Sequence, residues 1–138
     1  PIGTGKSTMI QILAEYQRKL NRGFKVVSCP MLAVKYATYG IEAINESTWN
    51  DGGPRGPSPV ERGFDELGRE MLPASHYKNE LNVMQYILQV RYDLRMQVKT
   101  HATTNLSAGE IEEKYGTHIY DRIAEMFNLV ELKGESFR

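Results

Sequence analysis

The sequence predicts an α/β fold of three αβα layers on a mostly parallel sheet, in a single domain that spans residues 1–138. Segments with helical periodicity alternate with short apolar runs, and this alternation is typical of parallel sheets covered by helices. A length of 138 residues suits one domain. Apolar residues make up 41% and charged residues 25% of the chain, which argues against extensive disorder.

A helix is predicted from residue 7 to about residue 20, followed by a buried strand over residues 24–29. The helix carries apolar side chains every three or four residues, as a helix packed on a sheet requires. These side chains are Met9, Ile10, Leu13, Tyr16 and Leu20. Gly23 ends the helical region, since glycine readily adopts the positive φ of a helix C-terminus.

The middle of the chain is predicted to contain a second helix and a loop. The helix begins near Pro30, a residue favoured in the first turn, and runs to about Asn45. Residues 50–63 are rich in glycine and proline and predict a flexible surface loop. The polar composition of Val60–Phe64 argues against a buried strand at this point.

The second half is predicted to contain three helices and two strands. A helix over residues 77–94 precedes a strand over residues 96–104, and helices over 107–116 and 117–127 precede a last strand over 129–132. Ser107 and Glu110 form a capping box, in which each side chain bonds the free amide of the other residue.

Charge, cysteine content and apolar runs limit the class of protein. The 17 basic and 17 acidic residues cancel, so no global positive charge indicates nucleic acid. Cys29 is the single cysteine, which fits a reducing cytoplasm, and no apolar run reaches the length of a membrane helix. We therefore expect a cytoplasmic protein without a membrane partner. His76, His101 and His118 lack metal-ligand spacing and are interpreted as surface or helix-end residues, and Trp49 as a packing residue.

A glycine-rich run opens the chain. Its sequence, PIGTGKST, matches the phosphate-loop motif G-x-x-x-x-G-K-[ST] from the second place onward, so the first glycine and the strand that feeds the loop are expected before Pro1. In this motif, backbone amides and a helix N-terminus surround the nucleotide phosphates, lysine reaches the β- and γ-phosphates, and the serine hydroxyl binds Mg²⁺. The residues predicted to bind ATP are Gly3, Thr4, Gly5, Lys6, Ser7 and Thr8, with Ser7 also on the metal. The alternative is a chance glycine loop before a helix.

An acidic pair and a polar strand end supply the other candidate site residues. Asp65 is predicted to bind Mg²⁺ and Glu66 to polarise the attacking water, as in a Walker B site. The alternative is a solvated acidic turn. Thr103, Thr104 and Asn105 end a predicted strand, where a polar side chain can sense the γ-phosphate or simply form a turn.

These segments resemble the AAA+ ATPases of the DnaC-like helicase-loader family, with the IstB transposition ATPases as relatives. The resemblance rests on PIGTGKST, on FDELGRE and on the run from Lys99 to Arg138. It implies that Asn105 is sensor 1, that Arg122 is the arginine finger offered to a neighbouring subunit's ATP, and that Arg138 is the sensor 2 arginine.

The resemblance also implies partners. It implies self-association in an ATP-bridged spiral oligomer, single-stranded DNA in the channel and a replicative helicase as the protein partner. Lys35 and Tyr36, on the helix after Cys29, are the candidates for a DNA-facing surface.

Three functions remain open from the sequence. The first is an Mg-ATP-hydrolysing domain that couples its nucleotide state to DNA and helicase binding. The second is a nucleotide-gated DNA-binding adaptor without turnover, or an IstB-like transposition ATPase. The third is a small-molecule P-loop kinase. Such a kinase would need a lid with clustered arginines, whereas the loop over residues 50–59 contains a single arginine, Arg55.

Overall fold

The structure, a computed structural model, describes residues 3–71, 74–76 and 79–134. Its helices are α1 (Lys6–Lys19), α2 (Cys29–Tyr39), α3 (Ile41–Thr48), α4 (Val83–Asp93), α5 (Ala108–Tyr115) and α6 (Thr117–Met126). Its strands are β1 (Lys25–Ser28), β2 (Trp49–Asn50), β3 (Ser58–Pro59), β4 (Arg62–Leu67), β5 (Ala74–His76), β6 (Asn79–Leu81) and β7 (Thr100–Thr104). A short 3₁₀ turn covers Gly53–Arg55.

The central sheet has the strand order β1-β4-β7, and both pairings are parallel. Val27 lies beside Phe64, and Phe64 lies beside Ala102, so β4 is the middle strand. Two small antiparallel pairs, β2-β3 and β5-β6, lie outside this sheet. The α/β class and the parallel sheet predicted from the sequence are confirmed.

Helices cover both faces of the sheet. On one face, α1 buries Ile10 and Ala14 against Phe24. On the other face, a larger core forms around Phe64 with side chains from α2, α3, α4, α5 and α6. Val26 packs in the first cluster and Val27 in the second, because successive side chains of a strand point to opposite faces.

Local signals located several elements correctly. The helix at the start of the chain and the strand after it are present as α1 and β1. The capping box is formed, with Ser107 Oγ accepting from Glu110 N at 3.3 Å and Glu110 Oε2 accepting from Ser107 N at 2.7 Å. These elements depend on residues close together in sequence, so their patterns are visible without the fold.

The strand before the acidic pair is a correction. We expected no buried strand over Val60–Phe64, yet Arg62–Leu67 is the central strand and takes in the last two residues of the predicted loop over 50–63. Polar residues at the start of this strand have partners: Glu61, just before it, pairs with His101 at 2.6 Å, and Arg62 donates to the Glu46 carbonyl at 3.2 Å. Composition alone therefore did not predict this strand.

Gly63 explains why a glycine occupies the central strand. A Cβ atom at this position would lie 2.8 Å from the Phe24 ring and 3.0 Å from the Ile10 side chain. The first contact is shorter than real Cβ atoms show and the second is unusually tight, so glycine at this position lets Phe24 and Ile10 pack closely on the strand.

Three helix and strand boundaries differ from the sequence prediction. The second helix is divided at Gly40, which has a φ of 65° and a ψ of −138°. Helix α4 begins at Val83, and the Asn82 side chain caps it by accepting from Gln85 N at 3.1 Å. Of the earlier residues in the predicted helix, 79–81 form β6 instead, which pairs with β5, and residues 77–78 lie outside the described residues. Strand β7 begins only at Thr100, because residues 94–98 form turns.

The strand predicted over residues 129–132 is not formed. Leu129 is 93% exposed and Val130 is 75% exposed, and neither belongs to a ladder within residues 79–134. A strand requires a partner for its backbone groups, and apolar composition alone does not supply one.

Arg91 is a buried charge that connects α4 to the sheet. Its guanidinium donates to the carbonyls of Val60 and Lys99, both at 2.6 Å, and to Thr100 Oγ1 at 2.8 Å. Burial, together with nearby Arg62, lowers the pKa of Arg91 to about 10. The side chain therefore satisfies backbone acceptors where β4 and β7 begin.

Candidate functional site

The glycine-rich loop leads directly into α1. Gly3 and Gly5 both have a φ of 82°, a left-handed conformation that other residues rarely adopt. Gly5 is the N-cap of α1, and no side chain caps this end. Because the first amides of a helix have no partner within it, the N-terminus of α1 presents donors and a partial positive charge.

Three hydroxyl-bearing residues and a lysine lie at this N-terminus. Ser7 Oγ donates to Asp65 Oδ1 at 3.1 Å, which joins α1 to the end of β4 across 58 positions of sequence. Lys6 Nζ donates to Thr4 Oγ1 at 3.2 Å. Thr8 is exposed and borders a shallow groove along the outer side of α1.

A β-bulge interrupts the regular geometry of β4 at the two acidic residues. Phe64 pairs with Ala102 and Leu67 pairs with Thr104, so β4 spans three steps where β7 spans two. Glu66 lies in this bulge with a φ of 61°, a left-handed conformation that is uncommon for a residue with a side chain. In an unbroken strand Asp65 and Glu66 would point to opposite faces, and the bulge interrupts that alternation.

The side chain of Thr103 contacts both acidic residues. Its Oγ1 accepts from Glu66 N at 3.0 Å and donates to Asp65 Oδ1. The Glu66 carboxylate pairs with Arg69 at 2.6 Å. Asn105, just after β7, is exposed at the same edge of the sheet.

The turn after β4 is bound to α5. Glu70 is 2% exposed and accepts from Gly68 N at 2.9 Å and from the Tyr115 hydroxyl. Lys114 Nζ donates to the carbonyls of Gly68 and Glu70. Burial raises the pKa of Tyr115 above its usual range, and the hydrogen bond to Glu70 raises it further.

Cys29 lies near the acidic residues, since Ser28 before it pairs with Asp65 in the sheet. It is fully buried and free at the start of α2. Burial raises the pKa of its thiol, and the charges of Glu70, Asp65 and Glu66 raise it further. The thiol therefore stays protonated and acts as a small apolar packing group.

Of the two arginines implied by the family resemblance, Arg122 lies within the described residues. Arg122 lies on α6, with its guanidinium 4.9 Å from the centre of the Tyr92 ring and its Nη1 buried without a hydrogen-bond partner. A second guanidinium, that of Arg95, lies 3.9 Å from the centre of the same ring. Arg138 lies outside the described residues.

The candidates for a DNA-facing surface on α2 diverge. Lys35 is exposed. Tyr36, by contrast, is 6% exposed and its ring lies 6.0 Å from that of His76, so it is a core residue and this prediction was wrong. The two side chains are adjacent in sequence, but they lie on different sides of the helix.

The histidines and the tryptophan have separate environments. His101 is not a surface or helix-end residue as expected: it lies within β7, stacks on Phe24 at 4.3 Å and pairs with Glu61. His118 is exposed. Trp49 is half-buried in β2 and lines a groove together with Asn45 and Pro57. No group of three or more His, Cys, Asp or Glu side chains among the described residues could bind a metal ion by itself.

The residues present fit Mg-ATP. Magnesium usually binds through one or two protein oxygens and completes its shell with water and phosphate oxygens. The Ser7 hydroxyl and the Asp65 carboxylate, 3.1 Å apart, provide such a pair. Above Gly5 a Cβ atom would meet nothing within 4 Å, which leaves open space at the helix N-terminus for an anion.

The sequence indicated no role for Thr103 and Glu70 in this cluster, or for Arg91 at the opposite end of the sheet. Thr103 was named only as part of a polar strand end, and the bulge that gives it two partners is a tertiary feature. Arg91 had a detectable signal, since it follows Met84, Ile87 and Leu88 at helical spacing on the buried side of α4. Glu70 had none, because only the fold brings it to Tyr115.

A parallel sheet with a helix rising from a glycine-rich loop at its edge is the architecture of P-loop nucleotide-binding domains. Among solved structures, the crystal structure of the DnaC helicase loader is similar to this chain, with a TM-score of 0.63 over 96% of this chain and 74% of that one. The two sequences are 14% identical, so the likeness shows the fold alone: an α/β fold with a parallel sheet, like that of the DnaC helicase loader. No protein-family model and no curated protein matches the sequence.

No helix within the described ranges is long and apolar enough to cross a membrane.

Proposed function

We propose that this chain is the ATP-binding and ATP-hydrolysing AAA+ domain of a helicase-loader-like DNA replication protein. The observation that carries the proposal is the hydrogen bond of 3.1 Å between Ser7 Oγ and Asp65 Oδ1 at the uncapped N-terminus of α1. It joins the hydroxyl of the phosphate loop to the carboxylate at the end of the central strand, the two groups that a P-loop site uses for Mg²⁺.

The proposed nucleotide site uses residues 3–8. The amides of this segment and the N-terminus of α1 bind the phosphates, and Lys6 adds a positive charge. Ser7 and Asp65 bind Mg²⁺. Bound Mg-ATP would supply the phosphoryl group for transfer, and its Mg²⁺ would act as a Lewis acid that offsets negative charge on the phosphate oxygens.

Glu66 is the proposed general base, which orients and polarises the attacking water. Asn105 is proposed to sense the γ-phosphate from the adjacent strand end. Arg122, offered to a neighbouring subunit, and Arg138 are proposed to stabilise charge on the phosphoryl oxygens. In the isolated chain Arg122 contacts Tyr92, so this role requires its guanidinium to leave that ring.

The proposed partners follow from the similarity to a helicase loader. We propose a replicative helicase and single-stranded DNA as partners, self-association in an ATP-bridged oligomer, and a cytoplasmic location. Lys35 remains a candidate DNA contact because it is exposed. An IstB-like transposition role uses the same nucleotide site and differs only in its protein partner.

One observation favours a second candidate function, a nucleotide-gated DNA-binding adaptor without turnover. The Glu66 carboxylate pairs with Arg69 at 2.6 Å, and this ion pair occupies a carboxylate oxygen that would otherwise face the attacking water. This pair is partly exposed, with 60% of the Arg69 side chain accessible, so solvent weakens it and a bound nucleotide can displace it.

ATP turnover of the Glu66→Gln variant separates the two functions. With single-stranded DNA present, we expect wild-type turnover to rise and the variant to turn over about 100-fold more slowly, the scale of general-base catalysis. Glu113→Gln, an exposed change on α5, serves as the control and should behave as wild type. Equal turnover in Glu66→Gln and wild type contradicts hydrolysis through Glu66, and ATP-dependent DNA retention without any turnover supports the adaptor.

A further inference from the structure

The bulge in β4 leaves a backbone donor without a regular ladder partner. Glu66 is the extra residue between the Phe64–Ala102 and Leu67–Thr104 pairs. A bulged residue does not join the ladder, and its amide needs another acceptor when it is sheltered from water. The acceptor is the side chain of Thr103, whose Oγ1 lies 3.0 Å from Glu66 N.

The same hydroxyl also contacts the second acidic residue. Thr103 Oγ1 bonds Asp65 Oδ1, the atom that accepts from Ser7. A threonine hydroxyl has one proton and two acceptor positions. Since the Glu66 amide can only donate, the hydroxyl proton points to Asp65, and both hydrogen bonds form at once without conflict.

We propose that Thr103 is a positioning residue for both carboxylates: its hydroxyl orients Asp65 towards Ser7 and stabilises Glu66 in its left-handed conformation. The inference rests on the function proposed above and adds a residue to it. Two hydroxyls meet on Asp65 Oδ1 in this structure. When the Ser7 hydroxyl turns to a metal ion, the hydrogen bond from Thr103 is the one that still orients Asp65.

The neighbouring threonine provides a contrast. Thr104 Oγ1 donates to the Leu67 carbonyl at 2.7 Å and accepts from Leu106 N at 3.1 Å. Its partners are backbone groups of the turn, and neither is a carboxylate. Loss of this hydroxyl therefore reports on stability alone, whereas loss of the Thr103 hydroxyl affects the acidic pair as well.

The experiment compares Thr103→Val, Thr103→Ser and Thr104→Val in the whole chain. For each, the Mg²⁺ concentration that gives half-maximal ATP binding is measured, together with the melting temperature without nucleotide. We expect Thr103→Val to need about tenfold more Mg²⁺, the effect of losing one hydrogen bond to a charged group. Thr103→Ser keeps the hydroxyl and should stay within about twofold of wild type. Thr104→Val should lower the melting temperature and leave the Mg²⁺ requirement unchanged.

Two results overturn the inference: an unchanged Mg²⁺ requirement in Thr103→Val, or an equal rise in Thr103→Val and Thr104→Val. If Thr103→Val does not fold, Thr103→Ala also lacks the hydroxyl and adds no bulk, and the same criteria apply to it. Failure of the proposed function looks different, because the wild-type chain itself would then bind no Mg-ATP.

Discussion

Arg91 lies at the end of the sheet where the parallel strands begin, opposite the edge that carries the acidic pair. It is fully buried on α4, and its three described hydrogen bonds reach Val60, Lys99 and Thr100. Position on the helix alone predicts an apolar residue here. The sequence could not show that two strand starts provide carbonyls for a guanidinium, because those acceptors belong to other elements.

Replacing Arg91 with Met should destabilise the chain. The substitution keeps a flexible stem but leaves the carbonyls of Val60 and Lys99 without their donor, and we expect a loss of about 3 kcal/mol in the free energy of unfolding. Urea unfolding measures this loss. Arg95→Met is the matched control on an exposed position and should change stability little. Equal effects of the two substitutions would show that the buried contacts contribute nothing specific.

Because Tyr115 and Cys29 are buried, we expect the chain to lose stability at alkaline pH. Burial raises the pKa of both groups in the folded chain above their ordinary values of 10.0 and 9.0. Between the ordinary and the raised values, the unfolded chain releases protons that the folded chain keeps, so unfolding becomes easier as pH rises. The stabilisation is complete below about pH 9 and declines above it.

The measurement is urea unfolding of wild type and Tyr115→Phe between neutral pH and about pH 11, the range in which tyrosine ionises. The phenylalanine variant lacks the ionising hydroxyl, so its stability should fall less steeply above pH 10 than that of wild type. Parallel curves for the two proteins would mean that Tyr115 ionises equally easily in the folded and unfolded states.

At the scale of elements, helices with local signals were predicted best. Helix α1 follows from its apolar spacing, and α5 follows from the capping box of Ser107 and Glu110. Strand β4 was not predicted, because Glu61 and Arg62 find their partners only in the fold. The strand expected over residues 129–132 failed for the converse reason: its apolar pattern has no neighbouring strand in the described part of the chain.

The packing of α1 on the sheet gives a prediction at Gly63. In Gly63→Ala the new methyl group would meet Phe24 at 2.8 Å and Ile10 at 3.0 Å, so the Phe24 ring and the Ile10 side chain between α1 and β4 must shift. We expect a loss of about 2 kcal/mol, the usual effect of overpacking a core. The free energy of unfolding from urea titration measures it.

Gly109→Ala is the control for that substitution. A Cβ atom at Gly109 meets nothing within 4 Å, and the residue lies inside α5. Alanine should raise stability there by about 0.5 kcal/mol, because glycine has the lower helix propensity. A Gly63→Ala variant as stable as wild type would show that α1 moves freely on the sheet, contrary to the close packing in the structure.

At the scale of the whole molecule, the parallel sheet explains why distant motifs meet. Parallel strands end at one edge, so the N-terminus of α1 and the ends of β4 and β7 converge there. The fold class could be predicted from the sequence, and the roles given to Asp65 and Glu66 stay predictions. The bulge at Glu66 and the two contacts of Thr103 could not, because register between strands is a property of the assembled sheet.

The proposed function depends most on the binding of a nucleoside triphosphate by residues 3–8. Titration calorimetry of ATP into the chain, with and without Mg²⁺, tests this directly. Wild type should bind ATP in a Mg²⁺-dependent manner, Lys6→Ala should lose most of that binding, and the exposed Lys19→Ala should keep it. Binding that survives in Lys6→Ala, or wild type that takes up no Mg-ATP, would contradict the account.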